Sequence, residues 1–261
     1  MIVPVAGAQD PRLGDYAHVG DPDWLRARGW FVAEGRFLLQ RLVDSPRFTI
    51  RSVVLTPAAL QSFGSTVATE APVYVASPEV LNEITGFDFH RGCLALAHRP
   101  PEESSSARFS EARLLLAIEG VANPDNIGGL FRVAAAFGAG GVLLDPASGD
   151  PFYRKAVRTS MGAVLTTPFE RVTAWPTRLD DLKRIGFTVV ALTPASEAQP
   201  LEEFAGAGHA SLVVLVGAEG SGLSQAASQA ADARVRIPIS GDVDSLNVVV
   251  AAGIALSRLF R

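Results

Sequence analysis

The sequence predicts an α/β protein whose larger, carboxy-terminal part is built on a mostly parallel β-sheet. Apolar runs of strand length alternate with helical patterns along the chain. In the second part these runs are continuously apolar, as in strands that helices cover on both faces. Residues 99–110 are rich in Pro, Ser and Glu, which is typical of a linker. We therefore expect two domains, residues 1–98 and 111–261, joined by this linker.

The first domain is predicted to be a small α/β domain. Phe37, Leu38 and Leu42 have helical spacing and predict a helix over 31–43. The other predicted elements are strands at 51–56, 73–77 and 92–97 and helices at 58–63 and 78–85. Each predicted strand is separated from the next by helical sequence, which implies an α/β domain.

The second domain shows the alternation more strongly. Its strands are predicted at 113–120, 140–145, 164–169, 187–193, 211–218 and 233–239. Its helices are predicted at 126–137, 151–161, 178–185, 222–229 and 246–260. The last helix is apolar on nearly every side, which indicates burial, partly against a second subunit. Ligands of parallel sheets bind at the carboxyl ends of the strands, so functional residues are expected in the loops there.

Composition limits the possible classes of function. The formal net charge of −4 argues against a general nucleic-acid binder, although only local charge matters at a contact. Cys93 is the single cysteine, which excludes an internal disulfide and a cysteine-cluster metal site. No apolar run is long enough to cross a bilayer, and the first ten residues lack a signal-peptide pattern. We expect a cytoplasmic protein without a membrane partner.

The first candidate loop follows the first strand of the second domain. Asn123 and Asn126 come after the strand, and Gly128 and Gly129 lie in the first turn of the next helix. Arg132 follows Asn126 by six residues, so both side chains are expected to face the strand ends. Alternatively, Asn126 caps the helix and Arg132 is a solvated charge. The paired glycines cost helix stability and favour a close approach at this turn.

The second candidate loop, residues 216–224, places Gly217, Gly220 and Gly222 around Glu219. The glycines suit a nucleotide-like ligand, but neither G-x-G-x-x-G nor the G-K-[ST] ending of a P-loop is present. Their absence argues against the alternative of a nicotinamide-dependent enzyme. Glu219 suits a cation or a ribose hydroxyl better than a phosphate. A turn with an acidic cap remains the alternative.

The third candidate loop leads from residues 237–239 into the last helix. Ser245 is predicted to be the N-cap of that helix. The small residues Ala251, Ala252, Gly253 and Ala255 follow in the helix. An ordinary core helix is the alternative interpretation.

The order and spacing of the three loops resemble the signature motifs of the SpoU/TrmH family of ribose 2′-O-methyltransferases, in the SPOUT superfamily. N-x-x-N-x-G-x-x-x-R matches 123–132, G-A-E-G-x-G-L matches 217–223, and I-P-I followed by S-L-N matches 237–239 and 245–247. The segment 150–163 is similar to the stretch between the family's first and second motifs. The resemblance covers essentially all of 113–261.

The resemblance implies a SPOUT domain with a deep trefoil knot, a homodimer, and a first domain similar to ribosomal protein L30e that binds RNA. FVAEG at 31–35 and FHRGCLALA at 89–97 carry the L30e likeness. The implied activity is S-adenosylmethionine-dependent methylation of an RNA ribose 2′-hydroxyl, with ribosomal RNA favoured. Methylation of transfer RNA, or a non-catalytic RNA-binding role in ribosome assembly, are the alternatives.

The resemblance also implies the site residues. The catalytic set is Asn126, Arg132, Glu219, Ser245 and Asn247. The residues expected at the cofactor are Leu192, Thr193, Val216, Gly217, Gly222, Ile237, Pro238, Ile239 and Leu246. No metal is required. Because a guanidinium keeps its proton in proteins, we expect Arg132 to hold a phosphate and stabilise the forming alkoxide.

An acidic chain needs a local basic patch to bind RNA. Arg154, Lys155 and Arg158 share one face of the predicted helix 151–161, and the sequence has no acid between Asp150 and Glu170. We predict that these residues bind RNA. A solvated face, or a link to acids across the dimer, is the alternative, in which case the patch is expected around Arg36, Arg41 and Arg91.

Overall fold

The computed structural model describes residues 2–63, 70–86, 88–101, 109–241 and 243–259. The chain forms two compact units, the first of Met1–Pro101 with Phe152–Leu165, the second of Glu102–Pro151 with Thr166–Arg261. The first boundary falls within the predicted linker 99–110, of which 102–108 lie outside the described residues. Phe152–Leu165 belongs to the first unit, whereas the sequence-based division placed it in the second domain.

Strands and helices alternate along most of the chain. The strands are β1 (Ile2–Pro4), β2 (Trp30–Glu34), β3 (Ile50–Leu55), β4 (Val73–Val75), β5 (Cys93–His98), β6 (Leu114–Glu119), β7 (Gly141–Leu144), β8 (Phe169–Arg171), β9 (Thr188–Leu192), β10 (Gln199–Pro200), β11 (Leu212–Gly217) and β12 (Ala233–Arg236). The helices are α1 (Pro22–Ala27), α2 (Arg36–Val43), α3 (Pro57–Phe63), α4 (Pro78–Thr85), α5 (Pro124–Ala136), α6 (Arg154–Thr159), α7 (Ala163–Thr166), α8 (Thr177–Arg184), α9 (Leu201–Gly206), α10 (Gln225–Ala230) and α11 (Val248–Leu259). A 3₁₀ helix spans Pro11–His18.

Each unit contains its own sheet. Among the described residues, the first sheet has the order β1-β4-β3-β5-β2, with β5 antiparallel to both neighbours and the other pairs parallel. The second has the order β10-β12-β9-β11-β6-β7-β8, and all its pairs are parallel. The prediction of an α/β protein with a mostly parallel sheet is confirmed. The knot and the L30e likeness stay predictions.

The predicted helix 31–43 is wrong in its first third. Its apolar start pairs with β5 as strand β2, with Val32 opposite Leu96. Gly35 then turns the chain into α2 at a φ of +103°, a conformation that residues with side chains rarely adopt. A short apolar run fits both periodicities, and the hydrogen-bond partner on β5 decided between them.

A second error is the predicted strand 164–169. The chain forms the short helix α7 there, and the strand β8 starts only at Phe169. Because α7 is apolar and buried, its sequence cannot be distinguished from a buried strand by pattern alone. The sequence also did not predict the following short elements: β1, the 3₁₀ helix, α1, β10 and α9.

The core of the second unit lies on both faces of its parallel sheet. Leu115, Val189 and Val213 come from three neighbouring strands and are fully buried on one face, and the residues that follow them, Leu116, Val190 and Val214, are fully buried on the other. Because the pairs among β6, β9, β11 and β12 are parallel, the carboxyl ends of these strands and the loops that follow them lie at one edge of this sheet. Among the described residues, no helix is long and apolar enough to cross a membrane.

Candidate active site

The three candidate loops meet through the side chain of Asn247. Its amide nitrogen donates one hydrogen bond to Asn126 Oδ1 at 3.2 Å and another to Glu219 Oε1 at 2.7 Å. Asn126 lies in the first turn of α5, Glu219 follows β11, and Asn247 precedes α11. Since these partners are 121 and 28 positions from Asn247, the fold assembles the group. We call Asn126, Glu219 and Asn247 the polar triad.

Asn247 also begins the last helix. Its side-chain oxygen accepts hydrogen bonds from the backbone N–H groups of Val249 at 3.0 Å and Val250 at 3.4 Å. The prediction of Ser245 as N-cap is therefore wrong, and α11 begins at Val248 rather than at residue 246. The predicted last residue of the helix, 260, lies outside the described residues. The side-chain oxygen of Asn247 must face the N–H groups of α11, and its nitrogen must face Asn126 and Glu219. Only one of the two flipped orientations of the amide satisfies both requirements.

In the first loop, the alternative that Asn126 caps the helix is wrong. Asn123 is the N-cap of α5, and its oxygen accepts from Asp125 N at 2.8 Å. Asn126 is buried and is left to bind Asn247. The close approach expected at the paired glycines is found at Gly129, where a Cβ would lie 2.7 Å from Val249 Cγ2. It serves the packing of α5 against α11.

Beside the triad, a cavity of about 450 Å³ opens at the carboxyl edge of the sheet. Eight of the nine residues predicted at the cofactor line it: Leu192, Thr193, Val216, Gly217, Gly222, Ile237, Ile239 and Leu246. Pro238 does not line it. Glu219 and Ser245 of the predicted catalytic set line it too, as do Asp244 and Val248, which sequence reasoning missed.

The glycine-rich loop needs Gly217 for a steric reason. A Cβ at this position would lie 2.4 Å from the carbonyl carbon of Gly222 and 2.5 Å from Leu223 N. The loop folds back on itself, and Gly222 N donates to Ala218 O at 2.9 Å. Gly217 therefore permits the tight turn that forms one wall of the cavity.

Glu119, at the end of β6, anchors the far end of the same loop. Its carboxylate accepts hydrogen bonds from Ser224 N at 2.8 Å and from Ser224 Oγ at 2.7 Å. Trp175 Nε1 donates to it at 2.8 Å. The side chain is buried and ties β6 to the loop after β11. Sequence reasoning missed it, although an acidic residue that ends an apolar strand is a visible signal.

Asp145, at the end of β7, supports the first loop from the other side. Its Oδ1 accepts from Gly120 N at 3.0 Å and from Ser148 N at 2.8 Å. The guanidinium of Arg171 donates to the carbonyl oxygens of Asp145 at 3.1 Å and Ser148 at 2.9 Å. Gly149 N then donates to Val121 O at 2.9 Å. Sequence reasoning missed Arg171 because the strand in this region was placed too early.

Arg132 lies apart from the polar triad in the single chain. It is exposed on α5, six residues after the buried Asn126. Six residues correspond to about 9 Å of rise and about 1.7 turns, so the two side chains leave the helix in different directions. The expectation that both face the strand ends is therefore wrong. Arg132 does not line the cavity. Its proposed role on the ribose stays a prediction.

The residues predicted to bind RNA lie in the first unit, on α6. Arg154 Nη1 lies 3.2 Å and Arg158 Nη1 3.7 Å from Glu34 Oε2, while Lys155 is exposed. Part of this patch is therefore linked to an acid of the same chain, which neither the prediction nor its alternative of acids across a dimer anticipated. Its contact with RNA stays a prediction.

A larger cavity, of about 800 Å³, lies at the opposite edge of the second unit's sheet. It is lined around the amino ends of β6 and β11, by Arg113, Leu114, Ser211 and Leu212 among others. Ligands of parallel sheets bind at the carboxyl ends, which favours the smaller cavity beside the triad. Among the described residues, no His, Cys, Asp and Glu side chains are grouped as metal ligands would be.

The SpoU rRNA Methylase family matches residues 113–257, a stretch that includes all three loops and the polar triad. This chain belongs to the SpoU rRNA methylase family. The prediction of a SpoU/TrmH methyltransferase is thereby confirmed.

Relatives support the family over nearly the whole chain. An uncharacterized tRNA/rRNA methyltransferase of Mycobacterium tuberculosis is 40% identical over 98% of this chain and 91% of the relative. The 23S rRNA (guanosine(2553)-2′-O)-methyltransferase RlmP of Bacillus subtilis is 28% identical, with 98% of each chain covered. An AdoMet-bound rRNA methyltransferase from Sinorhizobium meliloti has a TM-score of 0.84 at 27% identity, covering 99% of this chain and 97% of that one. These relatives match both the first unit and the second.

Proposed function

We propose that this chain transfers a methyl group from S-adenosylmethionine to a ribose 2′-hydroxyl of RNA, with ribosomal RNA as substrate. The observation that carries the proposal is the polar triad, which joins the three family loops beside one cavity. The RlmP relative is named for 2′-O-methylation of a guanosine in 23S rRNA. That name supports the ribose as the target and ribosomal RNA as the class of substrate. The reaction would take place in the cytoplasm, as the sequence led us to expect.

The cavity suits S-adenosylmethionine in size and in chemistry. Its volume of about 450 Å³ falls within the range of roughly 300–1,000 Å³ that is usual for small-molecule sites. The backbone of Gly217, Ile237 and Leu246 would hold the adenosyl portion. The carboxylates of Glu219 and Asp244, which also line the cavity, would complement a positive charge.

When bound, the cofactor supplies a methyl group on a positively charged sulfonium. The attacking ribose oxygen gains negative character, so charge is partly neutralised in the transition state. Apolar walls favour this change because they leave the separated charges poorly solvated. Val216, Ile237 and Val248 line the cavity and would provide such walls.

The polar triad positions the loops around the reacting hydroxyl. Asn247 fixes the carboxylate of Glu219 by its 2.7 Å hydrogen bond, and Glu219 itself lines the cavity. Ser245 lines it too and is available to the ribose or the cofactor. Arg132 would hold the neighbouring phosphate and stabilise the alkoxide as it forms, while keeping its own proton.

We also propose a homodimer. Val250 of α11 is 50% exposed, and Ile239 and Val243 in the preceding loop are 38% and 55% exposed. These apolar side chains lie on and beside the helix that was predicted to contact a second subunit. A second copy of the chain would remove them from water.

Calorimetry with S-adenosylhomocysteine and with NAD tests the cofactor assignment. We expect binding of the first and none of the second, and the reverse would refute the proposal. Mass-spectrometric mapping of 2′-O-methyl groups, in RNA from a strain lacking this protein, tests the substrate. Loss of one ribose methylation in ribosomal RNA is expected. Loss confined to transfer RNA would correct the substrate class.

A further inference from the structure

We propose that a surface of the first unit, built around Glu34, binds an unpaired stretch of the RNA substrate, with phosphates at its arginines and a base stacked on Phe37. The inference rests on the proposed function for the identity of the RNA. We call Arg36, Arg91, Arg154, Arg158 and Phe37 the Glu34 surface. Its residues come from α2, the segment before β5, and α6.

Glu34 is a buried carboxylate at the end of β2, 5% exposed. Arg154 Nη1 donates a hydrogen bond to its Oε2 at 3.2 Å. Arg91 Nε lies 3.5 Å from Oε1, and Arg158 Nη1 lies 3.7 Å from Oε2. Among the described residues, several guanidinium groups thus converge on one acid. Each guanidinium has five N–H donors, so Arg91 and Arg158 keep donors for a further anion beside Glu34.

The charge around Glu34 is strongly positive for an acidic protein. The segments 35–43, 89–101 and 152–165 contain no Asp or Glu. Their Lys and Arg residues are Arg36, Arg41, Arg91, Arg99, Arg154, Lys155 and Arg158. Glu34 carries a single negative charge, and the mutual repulsion of the guanidinium groups gathered on it would be relieved by further anions. Phosphates of an RNA backbone are anions that guanidinium groups bind bidentately.

Arginines from more than one element lie near the end of β2 in the chain or in space: Arg36 in α2 and Arg91 before β5. Burial raises the pKa of the Cys93 thiol to about 12, and the nearby charges of Arg36 and Arg91 act in the opposite direction. Arg36 begins α2, two residues after Glu34, and Arg91 lies two residues before Cys93, at the start of β5. Arg36 is exposed, and the side chain of Arg91 is 51% exposed, so both are accessible to a ligand.

Glu34 gives this surface a defined shape. Contact with a buried carboxylate restricts the long side chains of Arg91, Arg154 and Arg158 before any ligand binds, and so lowers the entropy lost on binding. We infer that Glu34 is a positioning residue for the arginines.

Phe37 is the reason for proposing an unpaired strand. Its side chain is 49% exposed on α2, one residue from Arg36. The guanidinium of Arg41 lies 4.7 Å from its ring centroid and donates to Gly162 O at 3.2 Å. An exposed ring among cations is the arrangement that stacks bases of single-stranded RNA without regard to their identity. Paired bases in a duplex are already stacked and cannot use it.

The test measures binding of a short single-stranded RNA of mixed sequence by fluorescence anisotropy, across a series of salt concentrations and without methyl donor. Arg91→Ala and Arg158→Ala should each flatten the slope of log affinity against log salt by roughly 0.7. Phe37→Leu should weaken binding about tenfold and leave the slope unchanged, because it removes the ring and not a charge. The same RNA annealed to its complement should bind Phe37→Leu and the unmodified chain equally.

Arg12→Ala is the matched control, since Arg12 pairs with Asp10 at the start of the 3₁₀ helix and belongs to none of the elements that form the Glu34 surface. It should change neither affinity nor slope. Arg158→Lys keeps the charge and should restore the slope. Unchanged slopes in both arginine variants, or full single-strand affinity in Phe37→Leu, would overturn the proposal. Binding as predicted, together with unchanged ribose methylation in RNA from the strain lacking this protein, would contradict the proposed function and leave this inference standing.

Discussion

At the scale of single residues, the amide of Asn247 serves two separate purposes. Its oxygen accepts hydrogen bonds from the first N–H groups of α11, and its nitrogen donates to Asn126 and Glu219. An aspartate could replace the first interaction but not the second, because a carboxylate has no N–H to donate. The two purposes can therefore be separated by substitution.

Asn247→Asp should keep the helix cap and lose the triad. The new carboxylate would face Glu219, so we expect methyl transfer to fall by about tenfold or more with little change in melting temperature. Asn247→Ala should lose the cap as well, at a further cost of about 1 kcal/mol of unfolding free energy. A methyl-transfer assay and a thermal melt on both variants check this. Full activity of Asn247→Asp would show that the triad is not needed.

Arg132→Ala should impair the reaction without affecting cofactor binding. Methyl transfer should fall by at least ~10²-fold, the scale of one lost transition-state contact. Calorimetric affinity for S-adenosylhomocysteine should stay the same, because Arg132 does not line the cavity. Arg184→Ala, an exposed arginine of α8 paired with Asp181, is the control and should be fully active. Near-normal turnover of Arg132→Ala would refute its role.

At the scale of elements, the packing of α5 against α11 brings the first and third loops together. Gly129 makes the approach possible, since a Cβ there would lie 2.7 and 2.9 Å from the two methyl carbons of Val249. Val249 is β-branched and stiff, so it has little freedom to move aside. The glycine thus serves the site indirectly, through the distance between two helices.

Gly129→Ala should destabilise the protein. Overpacking of this kind costs about 1–3 kcal/mol, which chemical denaturation would measure as a lower midpoint. Gly206→Ala is the matched control, because that glycine also lies in a helix but a Cβ there meets nothing within 4 Å. It should be neutral or slightly stabilising. Equal stability of the two variants would contradict the packing argument.

At the scale of the whole molecule, the apolar surface around α11 predicts self-association. Sedimentation at micromolar concentration should show a species of twice the 27.5 kDa chain mass. Val250→Glu should shift it towards the monomer, because it places a charge on a 50% exposed apolar position. Ile185→Glu, at 49% exposure on the far end of α8, should not. A monomer in the unmodified chain would refute the homodimer.

Much of the fold was predictable because parallel strands buried on both faces leave a clear pattern. The predicted strands 113–120, 187–193 and 211–218 enclose β6, β9 and β11. Short segments, and apolar segments whose pattern fits both a strand and a helix, could not be predicted in this way. β2 and α7 each have apolar runs that suit either a strand or a helix, and their hydrogen-bond partners lie elsewhere in the chain.

The sequence by itself determined the class of fold, the family, and the residue types of the three loops, because these depend on local periodicity and on motif spacing. Only the tertiary structure decided that Asn247 rather than Ser245 begins α11, that Asn247 joins Asn126 to Glu219, and that Arg154 and Arg158 share Glu34. Each of these facts is a contact between positions tens of residues apart, or a choice between neighbouring caps. Such contacts depend on how the elements pack against one another, and the periodicity and motif spacing of the sequence do not specify the distances between packed elements.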